Sequence, residues 1–231
     1  MRVILFDQRF EKYDKLKQGW LHTNRPYNLL LYQVIDMEEK VLPIKDSNIL
    51  DDVKDTLLNN FKAGRRNYTI FQLGKATLLR VSDVLSLKKA NIYSEEGIVN
   101  TSTLIHDIKT GKANKIYLKP VQSDLIIYRD WLMQNNIKSK WLFPSMKDFS
   151  KHITPNQYYK IMHKVGDLLN IDYLGTHTMR KTGAYRVYVQ SNYDIALVMK
   201  LLNHSSEAMT LSYLGIDQSS KQERLDKIDF G

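Results

Sequence analysis

Residues 201–213 have the sequence LLNHSSEAMTLSY, in which Tyr213 stands nine positions after His204. The preceding helix is amphipathic, with apolar residues at positions i, i+3, i+4 and i+7, namely Ile195, Val198, Met199 and Leu202. By itself a tyrosine is usually half-buried packing, and a histidine that follows a helix is often part of its cap. Residues 201–213 therefore indicate a functional site only together with two segments that precede them.

These two segments place arginines where an anion would be bound. The first, ATLLRVSDVLSL at residues 76–87, carries Arg80 inside an apolar run, where burial without an anionic partner would be unfavourable. The second, GTHTMRKTGAY at residues 175–185, has His177 three positions before Arg180. Residues at this spacing share a face in the first turn of a helix, and the N-terminus of a helix favours an anion. Guanidinium groups bind phosphate oxygens in pairs, so the pattern indicates a phosphate site.

Together the three segments resemble the tyrosine recombinase (phage integrase) family. That family is recognised by a T-G-L-R-x-S-E-L-type turn, an H-x-x-R pair before a helix, and L-G-H-S-S followed by a tyrosine nine positions after the histidine. The resemblance covers roughly residues 43–216, with the motifs in the expected order. Some positions depart from the pattern: Leu78 and Asn203 replace glycines, and Lys181 and Gly183 replace a histidine and a phenylalanine.

The resemblance assigns a role to each polar residue. Tyr213 is the nucleophile, and Arg80, His177, Arg180 and His204 complete the catalytic set, the arginines stabilising charge on the phosphate. Lys109, in the hairpin segment DIKTGKANKIYL at residues 107–118, matches the family's general acid. Lys112 and Lys115 lie in the same hairpin, and either could take that role. We otherwise expect Lys112, Lys115 and Lys181 to contact DNA.

The expected fold is mainly α with a small antiparallel β-sheet, the fold of a tyrosine recombinase catalytic domain. Helical spacing covers residues 50–61, 68–79 and 125–133, and Thr154, Pro155 and Gln157 predict a capped helix start. Short apolar runs between turn signals predict the sheet within residues 91–119, including Ile92 and Tyr93. We expect a short N-terminal appendage over residues 1–42, the catalytic domain over 43–216, and a tail over 217–231 that packs on a neighbouring protomer.

Composition agrees with a DNA-binding protein. The 231 residues include 34 Lys plus Arg against 25 Asp plus Glu, a net charge of +9, which favours polyanionic partners. No apolar run is long enough to span a membrane and no signal peptide is evident, so we expect a cytoplasmic protein. The absence of cysteine excludes disulfides and thiolate metal sites. Without a Walker-type or H-E-x-x-H motif, we expect neither a metal nor a nucleotide cofactor.

The sequence thus predicts a site-specific DNA recombinase, of the kind found on mobile genetic elements, that works through a 3′-phosphotyrosyl intermediate. The family implies double-stranded DNA sites as partners and a homotetramer on two duplexes, formed from protomers that are monomeric in free solution. Two alternatives stay open: a type IB topoisomerase-like enzyme that relaxes DNA, and a degenerate member that only binds DNA. Retention of all six polar groups argues against degeneration.

Overall fold

A computed structural model describes residues 41–216 and 228–229, which belong to one compact unit beginning at Val41. The predicted division at residues 42 and 217 stays a prediction, and nearly all of the predicted appendage and tail lies outside the described residues. In chain order the elements are α1 (Ser47–Asn59), α2 (Gly64–Thr77), α3 (Val81–Leu85), α4 (Lys89–Ile92), β1 (Ser102–His106), β2 (Ala113–Tyr117), a 3-10 turn (Lys119–Val121), α5 (Gln122–Gln134), β3 (Pro144–Ser145), β4 (Asp148–His152), α6 (Pro155–Leu169), α7 (Thr178–Gln190), α8 (Ile195–Leu202) and α9 (Glu207–Tyr213).

Helix starts follow local side-chain chemistry. The capping box at α6 is confirmed, because the Gln157 N–H donates to the Thr154 hydroxyl at 3.2 Å and the Thr154 N–H donates to the Gln157 side chain at 2.9 Å. Pro155 occupies the first turn, where its missing N–H leaves no bond unmade. Asp46 caps α1 in a similar way, accepting the Asn48 N–H at 2.7 Å.

The predicted antiparallel sheet is confirmed as the β1–β2 hairpin, in which Ser102 pairs with Tyr117 and His106 with Ala113. The prediction was wrong at Ile92, which ends the short helix α4, and Tyr93 forms only an isolated bridge to Val99. A second hairpin, β3–β4, was not predicted. Its longer strand, DFSKH, has no buried residue and therefore lacks the alternation that identifies a strand in sequence.

The core consists of two clusters of buried apolar side chains. The larger one draws on α1 to α6 and includes Phe71, Leu85, Tyr128 and Tyr158. The smaller one packs the end of α2 against α7, α8 and α9, through Leu78, Ala184, Tyr188, Val198, Leu202, Leu214 and Ile216. The helix that ends in Tyr213 therefore has its own small core. Within the described ranges, no helix has both the length and the apolar character to cross a bilayer.

Residues 41–47, which we call the entry segment, join the start of the unit to its last described helices. Lys45 is notable because its partner lies 170 residues further along the chain, just after α9. The bonds are Leu42 N–H to the Tyr173 carbonyl (3.2 Å), Ile44 N–H to the Thr182 hydroxyl (3.0 Å), Lys45 Nζ to the Gly215 carbonyl (2.7 Å) and Arg186 Nη2 to the Ser47 hydroxyl (3.1 Å).

Candidate active site

Arg80 lies at the junction of α2 and α3, where the chain turns sharply. Leu78 ends α2 in a left-handed conformation with φ of 54°, and Arg80 then caps α3 with an extended backbone. The Arg80 side chain is 25% exposed, and its Nη1 lies 3.2 Å from Oδ2 of Asp107 in the turn after β1. This arginine is thus paired with a carboxylate of the hairpin.

Asp83, one turn after Arg80, holds the same hairpin by a second bond. Its Oδ1 accepts the Ile108 N–H at 2.9 Å, whereas its buried Oδ2 has no hydrogen-bond partner among the described residues. Burial raises the pKa of the Asp83 carboxyl, and the Ile108 N–H partly offsets that rise. Sequence reasoning missed Asp83 as a site residue, although it occupies the acidic position of the motif that identified Arg80.

Arg180 lies in the first turn of α7 and is buried. Its Nε donates to the Leu78 carbonyl and its Nη2 to the Leu202 carbonyl, the latter at 3.3 Å. These carbonyls lie at the C-terminal ends of α2 and α8. The last carbonyls of a helix have no hydrogen-bond donor inside that helix. Arg180 therefore ties three helices together at the site.

His177 precedes α7 as its N-cap residue; part of its surface is open to solvent, and the protein surrounds the rest of its ring. Partial burial lowers the pKa of its imidazole, and the charges of Arg180, Lys181 and Arg80 lower it further. A neutral imidazole beside three cations and a helix N-terminus leaves this surface attractive to an anion.

His204 follows Asn203, whose left-handed conformation (φ 57°) ends α8. Its Nδ1 lies 3.0 Å from the Thr210 hydroxyl oxygen, which also lies 3.0 Å from the Ser206 carbonyl. A carbonyl only accepts, so the Thr210 proton points to Ser206 and the Thr210 oxygen accepts from His204 Nδ1–H. We infer a neutral tautomer whose Nε2 carries the free lone pair. Burial, followed by Arg180 and Arg80, lowers the pKa of His204.

Tyr213 ends α9 and is surrounded by cationic and imidazole groups. Its ring meets the His204 ring edge-on, with centroids 5.2 Å apart. Lys181 Nζ lies 4.9 Å from the Tyr213 ring centroid and Arg180 Cζ lies 5.9 Å from it. The hydroxyl is buried and makes no well-formed hydrogen bond within the described part of the chain, although it lies close enough to the Arg180 guanidinium for a weak one. Burial raises the pKa of the phenol, and Arg180 and Arg80 oppose that rise.

The structure brings His177, His204 and Tyr213 into electrostatic range of the same two arginines, Arg80 and Arg180. The hairpin lysines are arranged differently. A cleft of about 200 Å³ is lined by Arg80, Asp107, Lys115, Arg180 and Asn203 among others, but not by Lys109 or Lys112. Lys109 is exposed in the turn between β1 and β2. Their individual roles stay predictions.

Lys181, expected to contact DNA, lies against protein groups here, since its Nζ donates to the Val41 carbonyl at 2.7 Å and covers the Tyr213 ring.

Asp107 and Thr210 were missed as site residues because neither position has a signal of its own in the sequence. Among the described residues, no three His, Asp or Glu side chains are grouped so that they could hold a metal ion.

The model of the phage integrase family matches residues 47–219. The chain is 33% identical over 181 residues to the probable integrase/recombinase YoeC of Bacillus subtilis (strain 168), covering 78% of this chain and 92% of that protein. It is 27% identical over 190 residues to the tyrosine recombinase XerD of Oceanobacillus iheyensis, covering 77% of this chain and 61% of XerD.

Solved structures show the same fold. A post-cleavage complex of XerH with palindromic difH DNA superposes with a TM-score of 0.59 at 20% identity, covering 79% of this chain and 51% of that one. A lambda integrase dimer bound to a COC′ core site superposes with a TM-score of 0.57 at 14% identity, covering 83% and 64%. The chain thus spans about half the length of XerH, and the match is to the fold of tyrosine recombinase catalytic domains.

Proposed function

This chain belongs to the phage integrase family, and from that premise we propose that it is a tyrosine-type site-specific recombinase acting on double-stranded DNA. In the proposed reaction Tyr213 Oη attacks a backbone phosphorus and the bond from phosphorus to the 5′ oxygen breaks. A 3′-phosphotyrosyl bond replaces it, and Lys109 protonates the leaving oxygen. Attack by another 5′ hydroxyl reverses these steps and joins the strands.

The charges at the site support this reaction. Negative charge builds on the nonbridging phosphate oxygens during attack, and Arg80 and Arg180 are positioned to stabilise it, with His177 beside them. The phenolic proton needs an acceptor. His204 is suited to that task because its ring contacts Tyr213 and its inferred tautomer leaves Nε2 unprotonated.

The proposal includes independence from ATP and metal ions. The phosphotyrosyl bond conserves the energy of the phosphodiester, so rejoining needs no nucleotide. The guanidinium groups of Arg80 and Arg180 supply the charge stabilisation that a metal ion gives in other phosphoryl transfers.

One observation carries the proposal: the Tyr213 hydroxyl is buried beside the Arg180 guanidinium without a well-formed hydrogen bond in the described part of the chain, while cations surround its ring. A buried hydroxyl without a partner is unfavourable and therefore uncommon in a purely structural tyrosine. Such groups are found where a substrate supplies the missing contact.

Trapping of the covalent intermediate tests the proposal. The probe is a set of nicked duplexes taken from the DNA that flanks the gene, in which loss of a short fragment prevents rejoining. Wild type should form a covalent protein–DNA adduct without added ATP and with a chelator present. Tyr213→Phe should form none, whereas Tyr185→Phe, which removes another hydroxyl near the entry segment, should retain it.

Binding of these duplexes without any adduct in wild type would instead indicate a DNA-binding protein. Joining of strands between two duplexes would separate recombination from relaxation within one duplex.

The proposed active form is a tetramer on two DNA duplexes, built from monomers in which residues 217–231 pack on the next protomer. Exposed apolar side chains on α8 and α9, namely Leu197, Leu201 and Met209, offer a surface for that tail. Deleting residues 219–231 and substituting Leu197→Ser should both weaken synapsis, whereas Leu104→Ser on the exposed hairpin surface should not. We also propose a cytoplasmic location, because the proposed substrate is DNA.

A further inference from the structure

The turn between β1 and β2 is attached to the Arg80 region at two consecutive residues. Asp107 Oδ2 lies 3.2 Å from Arg80 Nη1, and the Ile108 N–H donates to Asp83 Oδ1 at 2.9 Å. Lys109 is the next residue, about 3.8 Å further along the chain from Cα to Cα. The backbone that carries the proposed general acid is thus anchored to the proposed phosphate clamp.

Asp107 uses both of its carboxylate oxygens. Besides the bond to Arg80, its Oδ1 accepts from Asn114 Nδ2 on β2 at 3.2 Å. Its backbone closes the turn, because its N–H donates to the Lys112 carbonyl at 3.0 Å and its carbonyl accepts the Gly111 N–H at 2.7 Å. The side chain is 15% exposed. One residue therefore joins the turn, the opposite strand and Arg80.

We propose that Asp107 is a positioning residue for the reaction: it sets the hairpin turn so that Lys109 can reach the oxygen that leaves during cleavage. The inference rests on the proposed function, in which Lys109 protonates that oxygen. The contact with Asp107 leaves Arg80 able to bind a phosphate, because a guanidinium has five N–H donors and the observed contact involves Nη1 alone.

The physical need for such a residue follows from Lys109 itself. Lys109 is exposed and lies in a turn, and its long side chain loses rotational freedom when it is held in one place. A general acid must come within hydrogen-bond distance of the leaving atom. Fixing the backbone of the turn reduces the number of conformations that the Lys109 side chain must sample before it reaches the leaving atom.

Asp107→Asn is the informative change. The asparagine has nearly the same shape, but an NH2 group replaces one of the two oxygens, so a donor would face either Arg80 Nη1 or Asn114 Nδ2. The chemical readout is a substrate whose bridging 5′ oxygen is replaced by sulfur. A thiolate leaves without being protonated, because a thiol is far more acidic than an alcohol. This substrate therefore restores cleavage when only the general acid is lost.

We expect Asp107→Asn to cleave the normal oxygen substrate about 10- to 100-fold more slowly than wild type, and to regain most of that loss on the sulfur substrate. Asn114→Ala should show a smaller defect with the same rescue. Asp148→Asn, the same charge change in the β3–β4 hairpin, should cleave both substrates like wild type. Melting temperature and DNA affinity serve to separate these effects from misfolding.

The other outcomes overturn the inference in distinct ways. An equal loss on both substrates would mean that Asp107 acts through the arginine clamp, and no loss would mean that it positions nothing. Lys109→Ala, Lys112→Ala and Lys115→Ala are measured in parallel. If only Lys115→Ala is rescued by sulfur, the assignment of Lys109 in the proposed function fails, and the inference fails with it.

Discussion

Lys181 Nζ lies 4.9 Å from the centroid of the Tyr213 ring and donates a hydrogen bond to the Val41 carbonyl at 2.7 Å. The same ammonium therefore contacts the proposed nucleophile and the entry segment. A cation over an aromatic face is attracted to its negative quadrupole. At this position the family pattern has a histidine, so this chain holds its tyrosine by a contact that the pattern does not contain.

Lys181→Met should reduce formation of the covalent adduct about fivefold at saturating DNA, because it removes roughly 1 kcal/mol of cation–π attraction while keeping the side-chain length. Lys181→Arg should retain most of the activity. Lys160→Met, which removes an exposed charge from α6, controls for non-specific DNA affinity. Adduct formation by Lys181→Met at the wild-type rate would show that the contact is incidental.

Thr210→Val should lower the cleavage rate about two- to tenfold, the effect of one hydrogen bond of roughly 0.5–1.5 kcal/mol. Valine has the shape of threonine but cannot accept from His204 Nδ1, so the histidine tautomer is no longer fixed. Thr210→Ser keeps the hydroxyl and should restore the rate. The measurement is single-turnover cleavage of the nicked substrate, and a slow Thr210→Ser variant would argue for a packing role instead.

The free energy of unfolding should fall as the pH is lowered from about 6.5, the ordinary pKa of histidine. His204 has a lowered pKa in the folded protein, so below pH 6.5 the unfolded chain binds the proton more readily and is favoured. The stabilising contribution is complete above that pH and is lost as the pH falls through the folded pKa.

Urea unfolding of wild type and His204→Gln at pH 7.5, 6.5 and 5.5 isolates this effect, and the decline should be shallower in the variant. A His204→Gln slope as steep as that of wild type would contradict the prediction.

Gly183→Ala should destabilise the protein by about 1–3 kcal/mol or more. A Cβ at this position would lie 2.0 Å from the Lys75 carbonyl oxygen and 2.6 Å from Leu78 Cδ2, so α7 would have to move away from α2. Gly111→Ala provides the matched contrast, because its Cβ meets nothing within 4 Å and only its φ of 66° is unfavourable. Urea denaturation should therefore show the larger loss for Gly183→Ala.

Two residues that replace glycines of the family pattern should respond differently when glycine is restored. Asn203 is exposed and asparagine tolerates its φ of 57°, so Asn203→Gly should change stability by only a few tenths of a kcal/mol. Leu78 is only 6% exposed. Leu78→Gly should relieve about 1 kcal/mol of backbone strain but lose about 2–5 kcal/mol of packing. The free energies of unfolding of both variants are measured by urea denaturation. A Leu78→Gly variant more stable than Asn203→Gly would contradict this account.

Sequence predicted those parts of the site whose residue types are set by local spacing. His177 and Arg180 share a helical turn, so their proximity can be predicted from their spacing alone. The same holds for the Thr154 cap of α6 in the fold, because it depends on groups within three residues. Asp107 is different, because it meets Arg80 across 27 residues and no local pattern marks it. The β3–β4 hairpin escaped prediction for a related reason: its strands bury little apolar surface.

The long reach of the entry segment has a consequence for biosynthesis. Residues 41–47 are synthesised before their partners at Tyr173, Thr182 and Gly215, which lie more than 130 residues further along the chain. The carbonyl that Lys45 binds follows Tyr213 by only two positions. During synthesis the surroundings of Tyr213 are therefore completed only after Gly215 has been added, long after the segment that they hold.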